Sequence, residues 1–205
     1  MLKLSIEGSV LCQSSQERID ISIQNGRYIG VTGNRRKKLI FALIGKESVE
    51  GDIFLDEISL KQNYEEYMKQ VGYISDIARR RLNGSKMRVD DLLDLAVLTK
   101  MDVLRIEDYQ ERKDSYLRFF GLEGKEKLEE LSEEKLLILE FISIFLKNPK
   151  LIIVDDFFSL LSEEKVDEMI AFFQWNLPPD KVSVIASEDE ELLQKIVEQI
   201  YVLSE

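Results

Sequence analysis

Leu151-Ile-Ile-Val-Asp155-Asp156 is a run of four apolar residues closed by two carboxylates. A short apolar run bounded by polar residues has the pattern of a strand buried on both faces. Val182-Ser-Val-Ile-Ala186 repeats the pattern, a helical stretch from Ser162 to Trp175 lies between the two, and Ile200-Tyr-Val-Leu203 follows. This alternation predicts an α/β fold with a mostly parallel sheet and crossover helices. Upstream, residues 87–148 are largely helical in pattern, most clearly at Asp90 to Leu98 and Leu136 to Lys147, and are expected to form an inserted helical subdomain. Residues 1–86 and 149–205 then make the α/β core lobe of a single unit. The beginning reads as antiparallel: Leu2 to Ile6 and Arg18 to Ile23 alternate, and Asn25-Gly26 turns the chain before Tyr28-Ile-Gly-Val31. From that strand a turn, Gly30-Val-Thr-Gly33-Asn-Arg35-Arg36-Lys37-Lys38-Leu39, leads into a helical pattern over Leu39 to Ile44 that Gly45 can end, and a further strand follows at Asp52 to Asp56.

With 205 residues, 44% of them apolar, the chain can fill a proper core, and three prolines and ten glycines leave no room for a flexible linker. No apolar run reaches the roughly 18 to 20 residues that cross a bilayer. The opening alternates like a strand and lacks a basic region before a long apolar segment, so a cytoplasmic location is expected. One cysteine, Cys12, excludes an internal disulfide and reads as a small buried hydrophobe. With no histidine and one thiol the chain is a poor candidate for a zinc site, and the lack of histidine excludes a Ser-His-Asp triad, so Ser132 is no hydrolase nucleophile. A net charge of −11 argues against a nucleic-acid partner.

Leu131-Ser-Glu-Glu-Lys135, a helix to Asn148-Pro149, and the strand Leu151 to Asp156 resemble, in order and spacing, the signature and Walker B region of the ATP-binding cassette (ABC) ATPases. Ser159-Leu-Leu-Ser162 resembles the family's D-loop, and Ala186-Ser-Glu188-Asp189 falls where the switch histidine stands. Gly30 to Gly45 resembles the Walker A loop and its helix, and Val71-Gly-Tyr-Ile-Ser-Asp76 the Q-loop. Taken alone, two glycines three apart before a helix suit a plain turn equally well. Together these segments cover nearly the whole chain, and the resemblance implies an ABC-type, P-loop NTPase-like fold.

The same resemblance implies that the chemistry is degenerate. In a P-loop, backbone N–H groups and a lysine hold phosphate while a hydroxyl and a carboxylate hold magnesium. Here the positions after Gly33 carry Arg35 for a glycine, Arg36 for the lysine, and Lys37 and Lys38 for the hydroxyls. A cation cannot ligate magnesium. Asp155 keeps the Walker B carboxylate, but Asp156 stands for the glutamate that polarises water, with an arm roughly 1.5 Å shorter. A displacement on the order of 1 Å can cost about a hundredfold in rate. Asp76 replaces the Q-loop glutamine, Glu188 the switch histidine, and Glu133 and Glu134 the signature glycines between Ser132 and Lys135. No aromatic platform for adenine occurs in Gly8 to Cys12.

The expected function is therefore a pseudo-ATPase subunit of an ABC-type membrane transport assembly, peripheral at the inner face of the membrane, needing no cofactor and partnering a permease, an active ATPase, or both. The alternatives are an atypical ATPase that binds Mg-ATP and turns it over slowly in a composite dimer site, and a soluble scaffold that has left transport. The run Arg35 to Lys38 and the acidic Glu129, Glu130, Glu133 and Glu134 are complementary across the head-to-tail dimer the resemblance implies, so carboxylates of one copy are expected to compensate the cations of the other. Four cations at a helix N-terminus oppose its dipole and need such compensation. Both runs also suit plain solvated surface charge. Arg79, Arg80 and Arg81 are expected to dock the membrane partner or its anionic lipids, or else to form a polar loop. Phe157-Phe158 reads as core or interface packing rather than a ligand box.

Overall fold

The computed structural model describes residues 3–9, 22–24, 27–75, 85–98, 106–176 and 181–203. Strands β1 (Lys3–Ser9), β2 (Ser22–Gln24) and β3 (Arg27–Thr32) lead into helix α1 (Arg36–Leu43). Then come β4 (Glu50–Leu55), β5 (Ile58–Ser59), α2 (Tyr64–Lys69) and β6 (Val71–Ser75). Three helices follow, α3 (Val89–Leu98), α4 (Ile106–Phe119) and α5 (Glu133–Leu146). The chain continues through β7 (Leu151–Asp155), α6 (Glu163–Asn176), β8 (Val182–Ala186), α7 (Glu190–Ile196) and β9 (Gln199–Val202).

Two sheets result. One is wholly parallel, in the order β6-β7-β8-β3-β9, and the other is antiparallel, in the order β2-β1-β4-β5. The strand expected from Arg18 is observed over Ser22–Gln24, and residues 10–21 lie outside the described residues, Cys12 among them.

The all-apolar reading of β7 holds because both of its faces are covered. Leu151 and Ile153 point into a core shared with α1 and the antiparallel sheet, where Leu39, Leu43, Ile53 and Tyr67 are buried. Ile152 and Val154 point into the other core, made with α3 to α6. Strand alternation thus assigns successive residues to different layers. The second core is dominated by aromatics: Phe141, Phe145, Phe172 and Phe173 meet at ring-centroid distances of 4.5 to 5.4 Å. Phe157 and Phe158 belong to it, as core packing requires.

Helix α5 begins where Ser132 caps it, accepting a hydrogen bond from the Lys135 N–H at 3.3 Å, with Glu133 and Glu134 in its first turn favoured by the helix dipole. It ends before Asn148, which takes the left-handed conformation (φ 53°) that Asn tolerates, and Pro149 forbids continuation. Helix α7 is capped in the same way by Asp189, which accepts from the Leu192 N–H at 2.9 Å. These stops place the ends of β7 and β8 beside the start of α1.

Candidate functional site

Asp155 closes β7 and Asp156 follows it, while Glu188 lies just beyond β8. Because β7 and β8 are parallel neighbours, with Asp155 opposite Ala186, their ends bring the three carboxylates to one edge of the sheet. The first turn of α1 arrives at the same edge from β3. Gly30 is in register within β3, and Gly33 turns the chain with φ 95°. A Cβ at Gly33 would press into the carbonyl of Leu203, so glycine is required there for space as well as for conformation.

Five of the singled-out side chains converge. The Lys37 ammonium donates to Asp155 Oδ1 at 2.6 Å and lies 2.8 Å from Asp156 Oδ2. The Arg36 guanidinium donates through Nη2 to Asp156 Oδ2 at 3.1 Å and to Glu188 Oε1 at 2.7 Å. Its Nη1 curls back to the carbonyl of Gly33 at 3.2 Å, so the side chain fills the loop it springs from. Arg36 and Asp155 are buried, with side chains 9% and 3% exposed, whereas Lys37 keeps 39% of its surface. Asp156 is itself in the left-handed region (φ 51°), its N–H held by the Ala186 carbonyl at 3.0 Å and its own carbonyl by Ser159 Oγ at 2.7 Å.

The loop's backbone is also committed internally. The Arg35 N–H donates to the Leu203 carbonyl at 3.1 Å and the Arg36 N–H to the Gly33 carbonyl at 3.2 Å. Lys38 lies one turn further along α1, its N–H on the Arg35 carbonyl at 3.0 Å.

The electrostatics follow from these pairs. Burial disfavours the charge on Asp156, but hydrogen bonds from Lys37 and Arg36 outweigh it and hold the carboxylate below its usual range. Burial likewise works against Lys37 and Arg36, and their carboxylate partners overcome it and raise both. For these two cations the compensation expected across a dimer lies inside the chain instead. The physical reason is proximity: the strand ends deliver three carboxylates to within hydrogen-bond reach, and no partner is needed.

Reading the sequence singled out all five of these groups but missed Tyr73. Its hydroxyl donates to Asp155 Oδ2 at 3.1 Å, and its pKa is pushed up to about 12 by burial and by the Asp155 charge. The signal lay in strand alternation, since Tyr73 pairs with Ile153 in register and shares the face of Ser75, which pairs with Asp155. Leu203 gave no such signal, because its carbonyl acts through backbone position alone.

Ser132, Glu133, Glu134 and Lys135 sit apart at the start of α5. Glu134 does not present its carboxylate outward as expected: Oε1 accepts from both the N–H and the hydroxyl of Ser162 at 2.8 Å, fixing the start of α6. Those two bonds lower its pKa. Lys135 pairs with Glu126 at 3.1 Å. The Q-loop position Asp76 and the basic Arg79, Arg80 and Arg81 lie outside the described residues.

Comparison of the coordinates with solved structures gives close fold matches. An ATP-binding subunit of an ABC transporter superposes with a TM-score of 0.81 at 17% identity, covering 99% of this chain and 86% of that one. The chain has the fold of an ABC ATP-binding subunit. An ABC transporter ATP-binding protein from Pyrococcus furiosus matches at a TM-score of 0.79 and 17% identity, over 98% of this chain and 97% of that one. CbiO1 from Clostridium perfringens, part of the ABC transporter complex CbiONQ, matches at 0.76 and 16%, over 97% of this chain and 83% of that one. Neither a protein-family model nor a curated protein matches the sequence. The α/β class with a parallel sheet and an antiparallel start is therefore as the sequence predicts. Among the described residues no helix is long and apolar enough to cross a membrane.

Proposed function

We propose that the chain is a catalytically silent ABC-type subunit of a membrane transport assembly, acting as a structural or regulatory partner of a permease, of an active ATPase, or of both. The observation that carries this reading is the Lys37 ammonium between Asp155 and Asp156, at 2.6 and 2.8 Å. That is the place the resemblance gives to magnesium, and Arg36, reaching Asp156 and Glu188, takes the place it gives to the γ-phosphate. Magnesium requires oxygen ligands at about 2.0 to 2.1 Å in a near-octahedral set. Here Asp155 already spends Oδ1 on Lys37 and Oδ2 on Tyr73, and an ammonium beside it repels a dication.

Phosphate fares no better. The Arg35 and Arg36 N–H groups, which a phosphate-binding loop would aim at its ligand, end on the carbonyls of Leu203 and Gly33. The residues present do not suit magnesium triphosphate, so no phosphoryl-transfer step is derived through them. Membership in a transport assembly at the inner face of the membrane, as a homodimer or heterodimer with an ATPase, draws its support from neighbours such as CbiO1 in CbiONQ.

The test is calorimetry with ATP and magnesium, run beside a phosphate-release assay. The expected result is no magnesium-dependent heat and no turnover above buffer. Micromolar, magnesium-dependent binding together with turnover that Asp155→Asn abolishes would instead establish the slow composite-site ATPase.

A further inference from the structure

Trp175 is the chain's only tryptophan, and it stands 79% exposed at the next-to-last position of α6. Beside it a groove of about 500 Å³ opens between α6 and α4, with Asp108, Glu111 and Arg112 of α4 and Tyr116, Trp175 and Asn176 in its lining. The aromatic floor is anchored in the core. The Tyr116 ring meets Phe172, one turn before Trp175, edge-on at 4.8 Å, and the half-exposed Phe119 meets the same ring at 5.5 Å.

Three features select a cation. The exposed indole face attracts one through its quadrupole. Asp108 and Glu111 supply two carboxylates one turn apart on α4. Helix α6 ends at this groove without a basic residue in its last turn, so the negative end of its dipole lies beside the groove with the neutral Asn176 amide on the Phe172 carbonyl. Among the described residues Arg112 is the single cation in the lining, beside the two carboxylates and the helix terminus. One turn on from the buried Tyr116, Phe119 is 38% exposed, so apolar surface beside the groove extends further than a lone small cation would cover. Exposed aromatic patches of this kind mark protein contacts, and Trp, Tyr and Arg are their usual anchors.

We propose that this groove docks a basic segment of a partner protein, with an arginine or lysine laid on the Trp175 indole, its charge facing Asp108 and Glu111 and an apolar neighbour covering Phe119. The site lies on a different helix pair from the Arg36–Asp156 cluster and does not depend on how that cluster is read.

The single tryptophan reports its own occupancy. Titration with a hexapeptide of alternating leucine and arginine should shift the Trp175 emission saturably, and the peptide with glutamate in place of arginine should not. By anisotropy of the labelled arginine peptide, Trp175→Ala should weaken binding by about three- to thirtyfold. Asp108→Lys with Glu111→Lys should abolish it, and Arg112→Glu should strengthen it. These positions are exposed or half-exposed, and circular dichroism confirms that the variants fold. The proposal is overturned if the arginine peptide gives no shift up to millimolar concentration or if the glutamate peptide binds equally well. It is overturned equally if arginine amide alone binds as tightly as the peptide, or if Trp175→Ala leaves affinity unchanged.

Discussion

Replacing Lys37 with Met isolates the central ion pair. Methionine nearly matches lysine in length and helix propensity, so the change removes the charge and its hydrogen bonds and little else. Among the described residues the Asp155 carboxylate, 3% exposed, then keeps only the neutral Tyr73 hydroxyl at 3.1 Å, while Asp156 retains Arg36 at 3.1 Å. Removing one partner of a buried pair costs about 3 to 5 kcal/mol. Lys37 is 39% exposed, so water can reach part of the vacated space and the cost falls to about 2 to 3 kcal/mol. For a chain of this size each kcal/mol lowers Tm by about 2 to 4 °C, giving an expected drop of about 4 to 12 °C. Asp155→Asn alone should cost only about 1 kcal/mol, because Lys37 still has Asp156 at 2.8 Å. In the double variant the uncompensated buried charge is gone, so more than half of the Lys37→Met loss should return. Thermal and urea unfolding at neutral pH, combined as a double-mutant cycle, measure this. A Lys37→Met protein within about 0.5 kcal/mol of the parent, or strictly additive single changes, would refute the pair as a structural element.

Two further outcomes follow from the same geometry. Asp156 has a depressed folded pKa, so its contribution is present above the unfolded carboxylate value of about 3.9 and is lost as pH falls through the lower folded value. Lys37 has a raised folded pKa, so its contribution is complete below about 10.4 and is lost as pH rises through the folded value. A profile of Tm against pH should therefore be flatter on the acid side in Asp156→Asn and on the alkaline side in Lys37→Met; unchanged limbs count against the pairs. Gly33→Ala and Gly121→Ala make a matched test of space against conformation. Both positions have positive φ, but an added Cβ meets the Leu203 carbonyl at Gly33 and nothing within 4 Å at Gly121. Urea unfolding should show about 1 kcal/mol lost at Gly121 and at least about 2 kcal/mol at Gly33.

The parallel sheet was legible because β7 and β8 are covered on both faces, which makes their sequences short, predominantly apolar runs. Strand β5 and helix α2 were not. Ile58–Ser59 is too short to alternate, and Tyr64–Lys69 buries only Tyr67, so neither displays a period. Their places are set by register with β4 and by the core that Tyr67 enters, both tertiary facts. At the site the residue types were readable, cations at 36 and 37 and carboxylates at 155, 156 and 188. The pairing was hidden, because Lys37 and Asp155 lie 118 positions apart, and Arg36 and Glu188 lie 152 apart. Nothing in a linear reading tells a cation opposed by its own chain from one awaiting another.

That distinction alters what the substitutions accomplish together. Without cations at 36 and 37, Asp155 and Asp156 would stand as two adjacent carboxylates, one nearly buried, with an electrostatic need for some cation. Cations at 36 and 37 meet that need from within, and Glu188 gives Arg36 its second anionic contact. The contacting set then carries two positive and three negative groups. A site that must attract a polyphosphate needs the opposite surplus, and a site that must hold magnesium needs carboxylate oxygens without an ammonium between them. Arg36, Lys37 and Asp156 each touch two groups of opposite sign, so changing any one member weakens the balance of the others. On this reasoning the cluster is a compensated structural unit, and Arg36→Lys alone or Glu188→His alone is expected to lower stability by removing contacts from Arg36 or Glu188 to their partners.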